Sequence, residues 1–146
     1  MIQGQTIYNK KIDVKSETTG NITSLNFRRG DNIKKGTSLM QISKENRNEL
    51  LGSAEELIKL YEIEYSSAKQ LVDKGLSSKS KLALAAYNLA DAKSKLKNIQ
   101  LDIDNTNIIS PFDGIITEKY VEISDFVTPG NILLTMVNLN PIKIQG

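Results

Sequence analysis

Apolar side chains recur at alternating spacings of three and four through the middle of the chain. Leu82, Ala85, Leu89, Ala92, Leu96, Ile99 and Ile103 form an unbroken heptad seam, the period of an α-helix that buries one narrow face. Upstream, Leu50, Ala54, Leu57, Tyr61, Glu64, Ala68 and Leu71 keep the same rhythm, with one charged slot at Glu64. A flanking stripe of Leu51, Ile58, Tyr65 and Val72 repeats every seven residues and widens that face. Between the seams lies Asp73-Lys74-Gly75-Leu76-Ser77-Ser78. Gly75 is suited to a left-handed helix stop, and Ser77 or Ser78 to an N-cap for the next helix. So short a connection makes the helices antiparallel neighbours. Each has about 28 residues and a length of roughly 40 Å at 1.5 Å per residue.

The flanks have a different rhythm. Residues 1–43 contain Gly4, Gly20, Gly30 and Gly36, and residues 110–146 contain Pro111, Gly114, Pro129, Gly130, Pro141 and Gly146. The stretch between them has only Gly52 and Gly75 and no proline. Turn residues bounding short apolar runs predict strands on both sides of the helical insert. The two flanks also repeat each other at an offset of 94. Gly20-Asn21-Ile22-Thr23 matches Gly114-Ile115-Ile116-Thr117; Asp31 matches Asp125, Ile33 Val127, Gly36 Gly130, Leu39 Leu133 and Ile42 Met136, with Ser124 in the place of Gly30. One such unit of about 25 residues cannot bury a two-sided core. Two units packed face to face can, as a small β-sandwich with quasi-twofold symmetry. The helical hairpin then sits in sequence between the halves of one sandwich, and its ends, near Ser43 and Ile108, must lie close together. The fold class expected is α+β.

Charge and composition add two points. Residues 45–73 hold seven acids against three bases, and residues 74–97 hold six bases against one acid. Opposite net sign favours pairing of the two helices, at about 0.3–0.5 kcal/mol for each exposed pair. Among all 146 residues there is no Cys, His or Trp, and the net charge is +2. Disulfides, Cys-based zinc and iron–sulfur sites, Cys nucleophiles and every His-based catalytic arrangement are excluded. A charge of this size does not hold nucleic acid, and eight Phe and Tyr residues are too few for a stacking platform. Asp31 and Asp125 fit turns whose backbone N–H groups they accept, rather than general acid–base roles. The hairpin carboxylates lack calcium-loop spacing. Gly30 to Gly36 does not lead into a phosphate-binding Gly-Lys-Ser/Thr. No catalytic residue, cofactor site or metal site is expected. No run reaches the roughly 18–20 apolar residues that cross a bilayer, and Met1–Thr6 lacks the features of a secretion signal.

These residues resemble a known pattern. Val14-Lys15-Ser16-Glu17-Thr18-Thr19-Gly20-Asn21-Ile22 and Arg29-Gly30-Asp31-Asn32-Ile33-Lys34-Lys35-Gly36 match a first half-motif of the lipoyl or biotinyl type. Ser110-Pro111-Phe112-Asp113-Gly114-Ile115-Ile116 and Val127-Thr128-Pro129-Gly130 match the second, and Pro-Phe-Asp-Gly is the most specific piece. Lys74 to Leu82 matches the hairpin turn. Two such half-motifs split by a helical hairpin resemble periplasmic adaptors, also called membrane fusion proteins, of the HlyD-like kind, above all those of resistance-nodulation-division (RND) efflux pumps.

The resemblance implies an organisation and a role. A first lipoyl half-motif would span residues 10–43, an antiparallel coiled-coil α-hairpin 44–107 and a second half-motif 108–140. The ends 1–9 and 141–146 would be strands leading to a β-barrel domain. The protein would be a non-enzymatic, periplasmic subunit of a tripartite efflux pump, anchored to the inner membrane when full-length. It would assemble into a trimeric or hexameric ring and bridge an inner-membrane transporter to a TolC-type outer-membrane channel. An adaptor of an ABC-type or HlyD-type exporter is the nearest alternative. A lipoyl or biotinyl carrier subunit is the alternative from another class, but the hairpin occupies the place where such a domain displays its modifiable lysine. Partner binding would fall on the hairpin turn, at Leu71, Lys74, Gly75, Leu76, Ser77, Ser78 and Lys79. Leu71 and Leu76 would be apolar anchors and Ser78 a hydrogen-bond donor. The tip motif of TolC-docking members is incomplete here: Leu71 and Ser78 fit it, while Ser67 stands in the arginine slot. Lys69 nearby is a point charge, not a bidentate guanidinium.

Overall fold

The structure, a computed structural model, describes residues 7–141. It has eight strands and two helices in the order β1 (Ile7–Lys15), β2 (Gly20–Leu25), β3 (Asn32–Ile33), β4 (Ser38–Ile42), α1 (Arg47–Asp73), α2 (Lys79–Asn105), β5 (Asn107–Ile109), β6 (Gly114–Lys119), β7 (Phe126–Val127) and β8 (Ile132–Pro141). The chain divides into two compact units. Among the described residues, one comprises 7–43 with 105–141, and the other comprises 44–104. Of the ends expected to lead to a barrel, 7–9 and 141 belong to β1 and β8, while 1–6 and 142–146 lie outside the described residues.

The β unit is a sandwich of two four-stranded antiparallel sheets, ordered β1-β8-β6-β3 and β5-β4-β2-β7. Ile22, Leu39, Met40 and Ile42 from one sheet and Ile116, Leu133, Leu134 and Met136 from the other are buried in a single core cluster. Each fully buried aliphatic side chain contributes about 1.5–3 kcal/mol. The offset of 94 reaches into the topology: adding it to β2 gives the bounds of β6, and adding it to β3 gives those of β7. It also carries one sheet order onto the other.

The halves do not pack face to face as separate sheets, however. Each supplies the two central strands of one sheet and the two edge strands of the other. Edge β3 has only two residues, paired Asn32 with Ile115 and Ile33 with Gly114; edge β7 pairs Gly20 with Val127 and Asn21 with Phe126. Interleaving covers both sheets with strands that neither half retains alone.

The loops repeat bond for bond. Ser16 N–H donates to Asn131 O at 2.9 Å, as Ser110 N–H does to Thr37 O. Ser16 Oγ–H donates to Thr18 O at 2.6 Å and Ser110 Oγ–H to Phe112 O at 2.5 Å. Asp31 Oδ2 accepts from Arg28 N–H at 2.8 Å, and Asp125 Oδ2 from Glu122 N–H at 2.9 Å. Both aspartates are thus turn residues with satisfied carboxylates.

One matched position is imperfect. Gly30 has φ +94°, and its counterpart Ser124 holds φ +81°. A Cβ in the left-handed region costs about 1–2 kcal/mol, partly offset by the greater chain entropy of unfolded glycine. Ser124→Gly is therefore expected to raise the urea midpoint of the β unit, by about 0.5 kcal/mol in stability. A lowered midpoint would mean that the serine side chain contributes more than its backbone strain costs.

The second unit holds the two helices, each 27 residues long. In α2 every position of the expected seam is at least partly buried, with Ala92 fully so. In α1 the seam is shifted from expectation. The covered residues are Leu51, Ala54, Ile58, Tyr61, Tyr65, Ala68 and Val72, while Leu50, Leu57, Glu64 and Leu71 face outward. The stripe expected to flank the seam is half of the seam itself, and the charged slot disappears because Tyr65, not Glu64, occupies it.

Three observations fix the helices as antiparallel. Near the start of α1, Arg47 Nε contacts Asp102 Oδ2 near the end of α2 at 2.5 Å. Tyr61 lies close enough to Lys95 to act on its charge, and Leu96 shares a groove with Ile58 and Lys59. Asp91 hydrogen-bonds Lys95 at 3.0 Å, and that bond is the main cause holding the ammonium pKa above the ordinary lysine value. The opposite net charges of the helices are not expressed in the pairs that Lys59 and Lys95 make. Lys59 and Lys95 pair within their own helices, with Glu56 and Asp91. The inter-helix pair joins an α1 base to an α2 acid, the reverse of the net trend.

Candidate functional site

The hairpin turn is built by a closed set of backbone bonds. Leu76 N–H donates to Leu71 O at 2.8 Å and Gly75 N–H to Val72 O at 2.9 Å. With Gly75 at φ +74°, this is a Schellman ending of α1. Of the two serines expected as caps, Ser78 takes the role: its Oγ accepts from Lys81 N–H at 3.3 Å, three residues into α2, and lies 3.1 Å from Ser80 Oγ. Ser77 is half-buried.

The cap leaves an apolar side chain in solvent. Leu76 is 71% exposed and Leu71 43% exposed, so Leu76 is not folded back over the helix end. Lys74, Gly75, Ser78 and Lys79 are exposed around it. The turn therefore brings together all seven residues singled out from the sequence. Its chemistry suits docking, with a leucine and hydroxyl and ammonium donors on a rigidly terminated helix pair. Among the described residues, no group of three or more His, Cys, Asp or Glu is placed to hold a metal ion.

The Pro-Phe-Asp-Gly motif has a structural explanation within the sandwich. Asp113 Oδ1 accepts from Lys35 N–H at 2.6 Å, fastening the second half to the turn before β4. Phe112 packs against the core. Gly114 sits so close to β8 that a Cβ there would lie 2.5 Å from Val137 O. β4 and β5 are joined through the whole helical unit, and no tight turn presents a lysine between them. The close approach of the insert's ends has a direct cause: Ile42 N–H donates to Thr106 O at 2.7 Å.

Sequence reasoning missed Arg47 as a structural group. It is 9% exposed, and its partner Asp102 lies 55 residues away. Nothing local marks either residue, since one base or acid at a helix end is ordinary. It missed Ser16 and Ser110 for a similar reason: only their shared spacing of 94 distinguishes them from other loop serines.

No helix among the described residues is long and apolar enough to cross a membrane. Comparison with known proteins gives a consistent picture. The chain is 25% identical over 146 residues to the antibiotic efflux pump periplasmic linker protein ArpA of Pseudomonas putida, covering 99% of this chain and 39% of ArpA. It is 24% identical over 149 residues to the multidrug resistance protein MdtA of Klebsiella pneumoniae, covering 91% of this chain and 36% of MdtA. The chain thus spans well under half the length of these relatives. Among solved structures, a putative efflux transporter from Bacteroides eggerthii superposes with a TM-score of 0.83 at 19% identity, over 94% of this chain and 47% of that one. A MacA-MexA chimera containing the Pseudomonas aeruginosa MexA α-hairpin domain superposes with a TM-score of 0.77 at 22% identity, over 92% of this chain and 54% of that one. At these identities the superpositions show the fold. Residues 10–139 match the model of the RND MFP barrel-sandwich hybrid domain, and the chain belongs to that family of membrane fusion proteins.

Proposed function

We propose that this chain is the sandwich-and-hairpin part of a periplasmic adaptor in a tripartite efflux pump. It links an RND-type inner-membrane transporter to an outer-membrane channel and takes part in exporting small molecules. The full-length protein is anchored to the inner membrane and adds a β-barrel domain to the ends of β1 and β8. Copies associate side by side into a ring, where many small interfaces gain from tethering. The adaptor is not an enzyme, and its mechanism is to join and seal.

The single observation that carries this reading is the exposed leucine turn, closed by a Schellman cap and Ser78, on a helix pair inserted in an RND-family sandwich. A leucine left in water at a stiff turn costs free energy unless a partner covers it.

Leu76→Asp in the full-length protein is the test. If Leu76 is an anchor at the centre of the contact, the variant should lose about 2 kcal/mol or more of channel affinity, roughly 30-fold. Cells dependent on it should lose drug resistance while adaptor abundance and helix content stay unchanged. Resistance at the wild-type level would remove the hairpin turn as the channel-docking site.

A further inference from the structure

The hairpin is charged unevenly along its length. Between residues 65 and 90 the bases are Lys69, Lys74, Lys79 and Lys81, and the only acid is Asp73. Farther from the turn the balance reverses: residues 47–64 and 91–104 together hold Arg47, Lys59, Lys93, Lys95 and Lys97 against Glu49, Glu55, Glu56, Glu62, Glu64, Asp91, Asp102 and Asp104. All four lysines near the turn are exposed, and none has an ion-pair partner among the described residues; farther along, Lys59 and Lys95 are paired while Lys93 and Lys97 are not.

Helix stability does not account for this placement. Lys79 and Lys81 occupy the first turn of α2, which contains no acid. There they face the positive end of the helix dipole, which favours acids and disfavours a cation by about 0.3–1 kcal/mol. The N-terminus of α2, two lysines facing it and two more from the end of α1 thus add their fields around Leu76.

We propose that the turn recognises an apolar pocket with an acidic rim on the outer-membrane channel. Leu76 enters the pocket, and Lys69, Lys74, Lys79 and Lys81 face the surrounding carboxylates. The inference rests on the adaptor reading and deepens it by naming the chemistry of the partner surface. Several spread point charges replace the single guanidinium missing at Ser67. Such a ring speeds encounter and selects the partner more than it adds to contact energy.

The test measures association of the full chain with the purified outer-membrane channel of its own host, by surface plasmon resonance. Salt is raised from about 50 to about 500 mM, which shortens the screening length severalfold. The wild-type association rate should fall about tenfold across that range. A variant with Lys69, Lys74, Lys79 and Lys81 all changed to Gln should bind about tenfold more slowly at low salt and show a much flatter salt response, with its helix signal intact. Wild-type binding that ignores salt and the four substitutions would overturn the acidic-rim proposal and leave the adaptor reading standing. No wild-type binding at any salt would overturn both. Lysine-dependent binding to phosphatidylcholine vesicles doped with phosphatidylglycerol, with channel binding unaffected by the substitutions, would assign the charge to a lipid surface and overturn the proposal.

Discussion

Gly114→Ala should destabilise the sandwich by about 3 kcal/mol, the upper end of what overpacking a close-packed interior costs. The added Cβ would lie 2.5 Å from Val137 O and 3.0 Å from Phe112 Cε1. The ring can turn aside, but the carbonyl cannot. It belongs to β8, which is held between β1 and β6, with Val137 in register with Lys11 on one side and Ile115 on the other. Making room means parting β6 from β8, and with them the centre of a sheet whose edge β3 is held by only two residues. The effect should appear as faster hydrogen exchange across the β8 amides. Gly52→Ala is the control: nothing lies within 4 Å of a Cβ there, and the position is inside α1. Alanine should stabilise that helix by up to about 1 kcal/mol. Unchanged exchange in Gly114→Ala would mean that the strands can separate without losing their ladder.

That contrast bears on what the sequence discloses. The spacing of 94 was enough to place β2 with β6, β3 with β7 and the start of β4 with that of β8, because each carries an apolar residue beside a turn glycine or aspartate. It was not enough to say which sheet takes β3 or β7. A two-residue strand such as Asn32–Ile33 has the same local pattern whichever half it pairs with, and only the long-range bonds from Gly30 and Asp31 to Ile116 decide. The seam of α2 was legible because Lys81, Lys93, Lys95 and Lys97 flank it and the apolar residues off it, Leu84, Tyr87 and Leu101, form no second unbroken seam. In α1 two stripes one residue apart are both apolar, Leu50 and Leu57 beside Leu51 and Ile58. The one discordant residue, Glu64, was the sign that the second stripe faces the partner. The hairpin turn was legible as a break in both seams; its charge imbalance gains meaning only when the four lysines are seen exposed and unpaired.

Ala92→Glu should have the largest effect on the helical unit, a loss of at least 3 kcal/mol. Ala92 is 3% exposed, the one fully buried residue of α2, and it lies on the seam. A glutamate there must fit four more heavy atoms and a charge into the packed seam. Overpacking costs about 1–3 kcal/mol, and an unpaired carboxylate adds its desolvation. Helical stability in a chain like this comes mainly from the packed face rather than from residue propensity, so parting the seam should also melt the helices. Circular dichroism at 222 nm should fall, with the loss starting at lower temperature than in the wild type. Ala90→Glu, two residues away and exposed, should cost only a few tenths of a kcal/mol. If both variants keep the wild-type signal and midpoint, Ala92 is not at the contact between the helices, and the shifted register of α1 loses its support as well. If Ala92→Glu alone melts, the stiffness of the helix pair behind the hairpin turn depends on an alanine small enough to let the two backbones approach.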